Sequence, residues 1–179
     1  MRSHSQVYTA HFVGFSLLAI LFNAGGAWLP AYLMRVHGLG AAEAGFWLGL
    51  IMLVAGVGGV LAGGWLGDRM SARGRTDGTM RVGVVAAVGV LPFAATATLV
   101  EPLGLSLVLI AGFLFFVSLP YGAAAAALQI ITPGRMRATA SALYLCLLNL
   151  LGLGFGPTLV ALATDRVFGS DLAVGKSLA

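Results

Sequence analysis

Charged residues are scarce in this chain, and long stretches have none at all. Asp, Glu, Lys and Arg together make up 9% of the 179 residues, against about 25% in a typical soluble domain. All of them lie outside five uncharged stretches, at 7–34, 44–66, 82–100, 103–131 and 138–164. Because a helix on the surface of a soluble domain needs a polar outer face, this scarcity excludes a soluble globular protein.

Each uncharged stretch is long enough to cross a bilayer as a helix. The shortest, 82–100, has 19 residues, and about 20 apolar residues rising about 1.5 Å each span the hydrocarbon core. Strands of a membrane barrel are shorter and alternate apolar with polar residues, which these stretches do not do. We therefore predict an all-α integral membrane protein with five transmembrane helices, followed after residue 164 by the start of a truncated sixth.

Groups that could support catalysis are also missing from the membrane-spanning stretches. Cys146 is the only cysteine, so no disulfide can form within the chain. No cluster of His, Cys, Asp or Glu has metal-ligand spacing, and no nucleophile is paired with a base. We expect no enzyme activity, no metal and no cofactor. The pI near 9.8 does not indicate a nucleic-acid partner, because the arginines lie in short loops between the spans.

The arginines predict which way the chain is inserted. Short loops rich in Lys and Arg stay on the cytoplasmic side. The N-terminus and the loops at 67–81 and 132–137 carry seven of the ten basic residues. The sequence therefore predicts a cytoplasmic N-terminus, and we expect the bacterial inner membrane as the location.

Small residues and helix breakers are placed where they could govern packing and movement. The second span carries one helical stripe of glycines, a pattern that lets helices in lipid approach closely; its members are Gly45, Gly49, Gly56, Gly59, Gly63 and Gly67. Breakers lie near the middle of two other spans, namely Gly25, Gly26 and Pro30 in the first and Pro120 and Gly122 in the fourth. Broken helices mark gates and substrate sites in secondary transporters, and a static kink is the alternative.

The second span ends in a loop with a recognisable pattern. The pattern is a glycine, any three residues, the pair Asp-Arg and then a further basic residue. It is matched here by Gly64, Asp68, Arg69 and Arg73. Asp68 lies at the C-terminal end of its helix, where the macrodipole disfavours an anion, so its carboxylate needs an outside partner. A simple topology anchor is the alternative. The pattern resembles the signature cytoplasmic loop of the major facilitator superfamily, with Ser71 and Ala72 departing from it.

A closer resemblance to spinster-like members of that superfamily covers roughly residues 10–179. It rests on segments 28–33 (WLPAYL), 135–143 (RMRATASAL) and 149–157 (NLLGLGFGP) in matching order. The resemblance implies that 1–179 is the C-terminal half of a twelve-helix transporter, with helices seven to eleven and the beginning of twelve. Gly156 and Pro157 also resemble the antiporter motif of the fifth helix, which would instead imply a drug/proton antiporter-like N-terminal half.

The resemblance implies secondary active transport by alternating access, with a missing N-terminal half, the lipid bilayer and a small-molecule substrate as partners. No Asp, Glu, Lys or Arg lies inside a span, so any coupling proton or ion would use groups of the other half. Asn23, Tyr121 and Asn149 are the candidates for the cavity wall, because they are polar at mid-depth. Amides and a phenol in an apolar wall suit an amphiphilic or lipophilic organic solute. A small self-pairing membrane protein without transport activity is the alternative.

Overall fold

The computed structural model describes residues 2–74, 78–132, 134–168 and 178, with side chains for 13–74, 78, 80–123, 132, 134–166 and 178. Every regular element in these ranges is a helix. The helices are α1 (Arg2–His37), α2 (Ala41–Ile51), α3 (Val57–Ala72), α4 (Gly78–Thr96), α5 (Leu103–Ile131) and α6 (Arg137–Leu162). A π-helical turn, Met52–Gly56, joins α2 and α3 into one rod, and a second one, Ala163–Phe168, extends α6. The predicted all-α fold with five helical rods is confirmed.

Four of the rods are long and apolar enough to cross a membrane: Val13–His37, Ala41–Ala72, Leu103–Ala123 and Gly134–Arg166. The fifth apolar segment, Met80–Thr96, is shorter. A bundle whose helices are this apolar satisfies its backbone hydrogen bonds within each helix, as a bilayer requires. The chain is therefore an integral, multi-pass membrane protein. The predicted sixth span lies largely outside the described residues.

The charge-free stretches located the helices well but missed some of their ends. The first two rods extend beyond the predicted 7–34 and 44–66, because charged residues such as Glu43 and Asp68 occupy helix ends that can project past the lipid. The third stretch was predicted to reach residue 100, which is wrong, since α4 ends at Thr96. In the turn that follows, the Ala97 carbonyl accepts a hydrogen bond from the Ser106 hydroxyl at 2.7 Å, which ties this turn to α5.

The predicted helix breaks do not occur within α1 and α5. Pro30 and Pro120 lie inside these continuous helices, and Pro157 lies inside α6. A proline removes one backbone hydrogen bond and can kink a helix without ending it. A π-helical turn interrupts the second span instead, at Met52–Gly56, where the sequence contains no proline.

The bundle is organised around α5, which packs against α3, α4 and, less extensively, α1 and α6. The largest contact of α6 is with α1. Gly59 and Gly63 of α3 lie directly against the carbonyl oxygens of Phe115 and Leu119 on α5, where a β-carbon would collide. By contrast, a β-carbon added at Gly45 or Gly49 would have no described atom of another element within 4 Å. Only the second half of the glycine stripe therefore serves as a packing face within the described bundle.

Candidate functional site

The site is built on the contact between α1 and α6, which two glycines allow to be very close. A β-carbon at Gly152 would lie 2.5 Å from the Asn23 side-chain nitrogen and 3.1 Å from the Ala19 carbonyl oxygen. One at Gly156 would lie 2.7 Å from the Ile20 carbonyl oxygen. These distances are shorter than side-chain contacts in packed interiors, so the two backbones touch. This contact sets the register of α6 on α1, and with it the positions of both asparagines.

All three predicted cavity residues line one small cavity of about 100 Å³ between α1, α5 and α6. Its wall is formed by Ala19, Asn23, Tyr121, Tyr144, Leu145, Leu148 and Asn149. The structure therefore brings together side chains that are 126 residues apart at the extremes, Asn23 and Asn149. Among the described residues, no charged side chain contributes to this wall. A site of this kind can form hydrogen bonds but cannot neutralise a charge.

The two amides are held in the same way. The Asn23 side-chain nitrogen donates to the Ala19 carbonyl oxygen at 2.8 Å, and that of Asn149 donates to the Leu145 carbonyl oxygen at 2.8 Å. A backbone carbonyl can only accept, so the nitrogen of each amide must be the atom that faces it. The side-chain carbonyl oxygen of each amide is not used in this bond and can accept a hydrogen bond from another group.

Tyr121 joins this cavity to an apolar cleft. Its ring packs against Phe22 of α1 with centroids 5.1 Å apart, and 39% of the residue is exposed. The cleft shares Tyr121, Tyr144 and Leu148 with the cavity and adds Phe15, Leu18 and Pro120. The cleft has a volume of only about 10 Å³, room for about one water molecule, so it adds apolar packing around Tyr121 and little open space.

The residues predicted to form gates are mostly packing contacts in this structure. A β-carbon added at Gly25 would lie 2.8 Å from Cε1 of Phe113, and one added at Gly122 would lie 3.0 Å from the Val60 carbonyl oxygen. Gly26 faces open space. The Pro157 carbonyl oxygen accepts a hydrogen bond from the Trp28 indole at 2.9 Å, and Pro120 is fully buried. Whether these positions move in a transport cycle stays a prediction.

The four residues of the loop motif do not contribute to the cavity wall. Gly64 lies in α3 beside Gly122, and Asp68, Arg69 and Arg73 are exposed at the end of that helix. Arg69 stacks on the Trp65 ring, with its guanidinium carbon 5.1 Å from the centroid. Among the described residues Asp68 has no ion-pair partner. Its predicted need for an outside partner is therefore not met within this part of the chain.

A buried polar chain at the opposite end of the bundle was missed by the sequence analysis. The Tyr32 hydroxyl lies 2.9 Å from His37 Nε2 and 3.1 Å from the Ser106 hydroxyl, which in turn donates to the Ala97 carbonyl oxygen. Because Ser106 donates its only proton to Ala97, all contacts are satisfied when His37 donates to Tyr32 and Tyr32 donates to Ser106. These hydrogen bonds link α1, α5 and the turn that follows α4. Tyr32 and Ser106 are 74 residues apart, so no local pattern could have revealed it.

We expect Tyr32→Phe to destabilise the protein by about 1–2 kcal/mol, because it leaves the buried Ser106 hydroxyl without its incoming donor. Thr96→Val is the matched control. It removes an exposed hydroxyl that bonds to the Pro92 carbonyl oxygen of its own helix, and should have little effect. The stability of both variants is measured by thermal unfolding in detergent. Equal stabilities would contradict the structural role of the hydrogen bonds from His37 through Tyr32 to Ser106.

In the part of the chain that the structure describes, no group of three or more His, Cys, Asp or Glu residues could hold a metal ion. The geometry supports binding of an organic molecule through amide and phenol groups. The described wall of the cavity offers no pair of a nucleophile and a base.

Comparison with known proteins gives one family and two similar solved structures. The family model of the Major Facilitator Superfamily matches residues 2–157. A bacterial homologue of the human lysosomal transporter Spinster, in an inward-facing and unoccupied conformation, superimposes with a TM-score of 0.78 at 23% identity. Its inward-facing, occupied form gives 0.72 at 22% identity. Both alignments cover 90% of this chain, which spans only 34% and 35% of theirs. No curated protein matches.

Proposed function

Because the chain belongs to the major facilitator superfamily, we propose that it is the C-terminal half of a secondary active transporter. The transported molecule is a small amphiphilic or lipophilic organic solute. It moves by alternating access, as the two halves rock about a central site. The N-terminal half completes that site. The protein lies in a bacterial inner membrane with its N-terminus in the cytoplasm, and it has no enzymatic role.

One observation supports this proposal most strongly: Asn23, Tyr121 and Asn149 converge on a single cavity. Polar groups are expensive at lipid depth, so in membrane bundles they face the interior or a water-filled space. Asn149 is exposed in this structure, and Tyr121 is partly so. A face with two amides and a phenol therefore fits a surface covered by the other half, with the solute between them. The two Spinster structures, which are called transporter homologues, share this fold.

The lack of charge in the described cavity wall bears on where the group that couples transport to an ion gradient lies. Coupling transport to a proton or ion gradient usually requires a titratable group at membrane depth. No charged residue of the described chain lines this cavity, so in the proposed transporter any such group belongs to the N-terminal half. The described half contributes the walls and the hydrogen-bonding groups of the solute site.

The proposal is tested by transport into proteoliposomes that contain the complete transporter carrying this chain. We expect the double variant Asn23→Leu/Asn149→Leu to reduce uptake of a fluorescent lysolipid-like amphiphile by about tenfold or more, since each lost hydrogen bond costs about 1 kcal/mol. Thr158→Val, on the outside of α6, is the control and should transport normally. Unchanged uptake by the double variant would contradict this location of the site.

The exposed loop motif predicts a conformational latch. We expect Asp68→Ala to slow transport by about tenfold with normal membrane insertion, because a carboxylate at a helix C-terminus gains from a partner that forms and breaks with each cycle. Glu101→Ala, at the opposite end of the bundle, is the matched control. If the two variants transport equally well, the loop is only a topology anchor.

A second function is favoured by the open glycines of α2. Gly45 and Gly49 form a small-residue face that no described element covers, and such faces mediate helix association in lipid. A self-pairing membrane protein would use this face between two copies. Crosslinking in membranes separates the two functions, since a dimer of this chain alone supports self-pairing and a strictly monomeric species excludes it.

A further inference from the structure

The described helices form two groups, each held together by close contacts. Gly152 and Gly156 bring the backbone of α6 against α1, and Gly63 brings α3 against α5. The Phe116 ring of α5 lies against Gly89 of α4, so α3, α4 and α5 form one group. Contacts from α1 to α4 and α5, and from α6 to α5, are much less extensive. We call the two groups the α1–α6 pair and the α5 group.

A groove separates the two groups over part of their length. It has a volume of about 250 Å³ and lies between α1 and α4. Its lining includes Gly14, Phe15 and Leu18 of α1 and Met80, Gly83 and Val84 of α4. A close-packed interior has few voids larger than a water molecule, so the α1–α6 pair has room to move relative to α4 at this level.

Near the other end of α1, hydrogen bonds fix the two groups to each other. The Tyr32 hydroxyl lies 3.1 Å from the Ser106 hydroxyl, which donates to the Ala97 carbonyl oxygen at 2.7 Å. Tyr32 and Ser106 are both fully buried, and a buried polar group that loses its partner incurs a desolvation cost. The hydrogen bonds from Tyr32 through Ser106 to Ala97 therefore anchor this end of the α1–α6 pair to the α5 group.

Both helices of the pair carry a proline at one level, close to this anchor. The Trp28 indole donates to the Pro157 carbonyl oxygen at 2.9 Å, so Pro157 of α6 lies level with a residue two positions before Pro30 of α1. Each proline removes one backbone hydrogen bond from its helix, and sharp bends in helices occur mostly at prolines. The two helices can therefore bend together at this level.

We propose that the α1–α6 pair bends at Pro30 and Pro157 while the anchor stays fixed, and that this movement opens and closes the cavity at Tyr121. Tyr121 is the one wall residue from α5, and the other described wall residues belong to α1 or α6. The gate is the contact between the Phe22 and Tyr121 rings, whose centroids are 5.1 Å apart. The inference rests on the proposed function, since it concerns access to the same site. The movement takes place within this half and adds to the rocking of the two halves.

A small bend is enough to open this gate. Phe22 lies eight residues from Pro30 and Gly14 lies sixteen from it, or about 12 Å and about 24 Å along the helix. A bend of about 10° therefore moves Phe22 by about 2 Å and Gly14 by about 4 Å. The first displacement takes the two rings past about 7 Å, the limit for an aromatic pair.

Spin labels test the movement in the complete transporter carrying this chain, in nanodiscs, after Cys146 and any other cysteines are replaced by serine. Distances are measured by electron paramagnetic resonance for three pairs of exposed positions. The pairs are Gly14→Cys/Val84→Cys between the two groups, Leu17→Cys/Leu147→Cys within the α1–α6 pair, and Val36→Cys/Leu105→Cys beside the anchor. We expect the first distance distribution to be broader than the other two by about 4 Å, the displacement of Gly14. A first distribution as narrow as the others overturns the inference.

Removing the anchor tests its role separately. In Tyr32→Phe we expect the distribution of the Val36/Leu105 pair to become as broad as that of the Gly14/Val84 pair, and Thr96→Val should leave it unchanged. Ser106→Ala gives the same readout if Tyr32→Phe does not fold. A narrow distribution in both variants overturns the inference.

Uptake of the fluorescent lysolipid-like amphiphile is measured on the same labelled transporters in proteoliposomes. Normal uptake with three equally narrow distributions overturns the gate and leaves the proposed function standing. Absence of uptake by the unsubstituted transporter overturns the proposed function, whatever the distances are.

Discussion

Gly63→Ala is expected to be among the most damaging single-carbon changes in this protein, costing about 3 kcal/mol of stability. The added methyl group would be driven into the Leu119 carbonyl oxygen of α5. That atom belongs to a helix backbone, so it cannot move aside as the end of a flexible side chain could. The two helices α3 and α5 must therefore move apart. Close packing is what holds helices together in lipid, where the hydrophobic effect does not, and this packing is lost along the contact.

Gly49→Ala is the matched control, because it adds the same carbon to the same rod. No described atom of another element would lie within 4 Å of the new methyl group. Alanine also favours the helix over glycine by about 1 kcal/mol, so this variant should be unchanged or more stable. Thermal unfolding in detergent, followed by size-exclusion recovery of the folded protein, compares the two. Similar loss of folded protein in both variants would contradict the assigned contact between α3 and α5.

The second large effect is expected for Gly156→Ala, at the contact between α1 and α6. Its added methyl group would lie 2.7 Å from the Ile20 carbonyl oxygen and 3.0 Å from the Ala24 nitrogen. Relief requires α6 to move away from α1, at a cost of about 2 kcal/mol. Because this contact also positions Asn149 relative to Asn23, we expect transport to fall by about tenfold or more, even in the fraction that remains folded.

Gly154→Ala, two residues earlier on α6, separates this effect from a general intolerance of the helix. Its methyl group would meet no other described element within 4 Å, and the variant should be stable and active. Stability is measured in detergent and transport in proteoliposomes containing the complete transporter. If Gly156→Ala transports like Gly154→Ala, the close contact between α1 and α6 does not position the solute site.

The fold was largely predictable because lipid imposes a simple rule on composition. Five charge-free stretches located five helical rods, and the fourth stretch, 103–131, matches α5 to the residue. The end of α4 was missed because a stretch without charged residues indicates an apolar environment but not a helix. A turn can be as apolar as a helix. The prolines wrongly predicted breaks in two helices. Pro30 and Pro120 remove one hydrogen bond each, and the surrounding packing keeps α1 and α5 continuous.

The members of the candidate site were predictable, and their arrangement was not. Asn23, Tyr121 and Asn149 stood out because polar side chains are rare at lipid depth. Their convergence depends on the register of α6 on α1, which is set by Gly152 and Gly156 touching a specific turn of the other helix. A sequence shows that such glycines permit a close contact, but it does not show which turn they meet. The polar chain from Tyr32 to Ser106 was hidden in the same way.

The π-helical turn at Met52–Gly56 explains why the stripe of glycines in the second span behaves as two different faces. A turn of this kind accommodates one residue more than an α-helical turn, which rotates everything beyond it by about 100°. Gly45 and Gly49 consequently fall out of phase with Gly59 and Gly63. Had the rod been a regular helix, all four would have pointed towards α5. The π-helical turn therefore gives the rod two packing faces. One contacts α5, and the other can contact a different helix at an equally short distance between backbones.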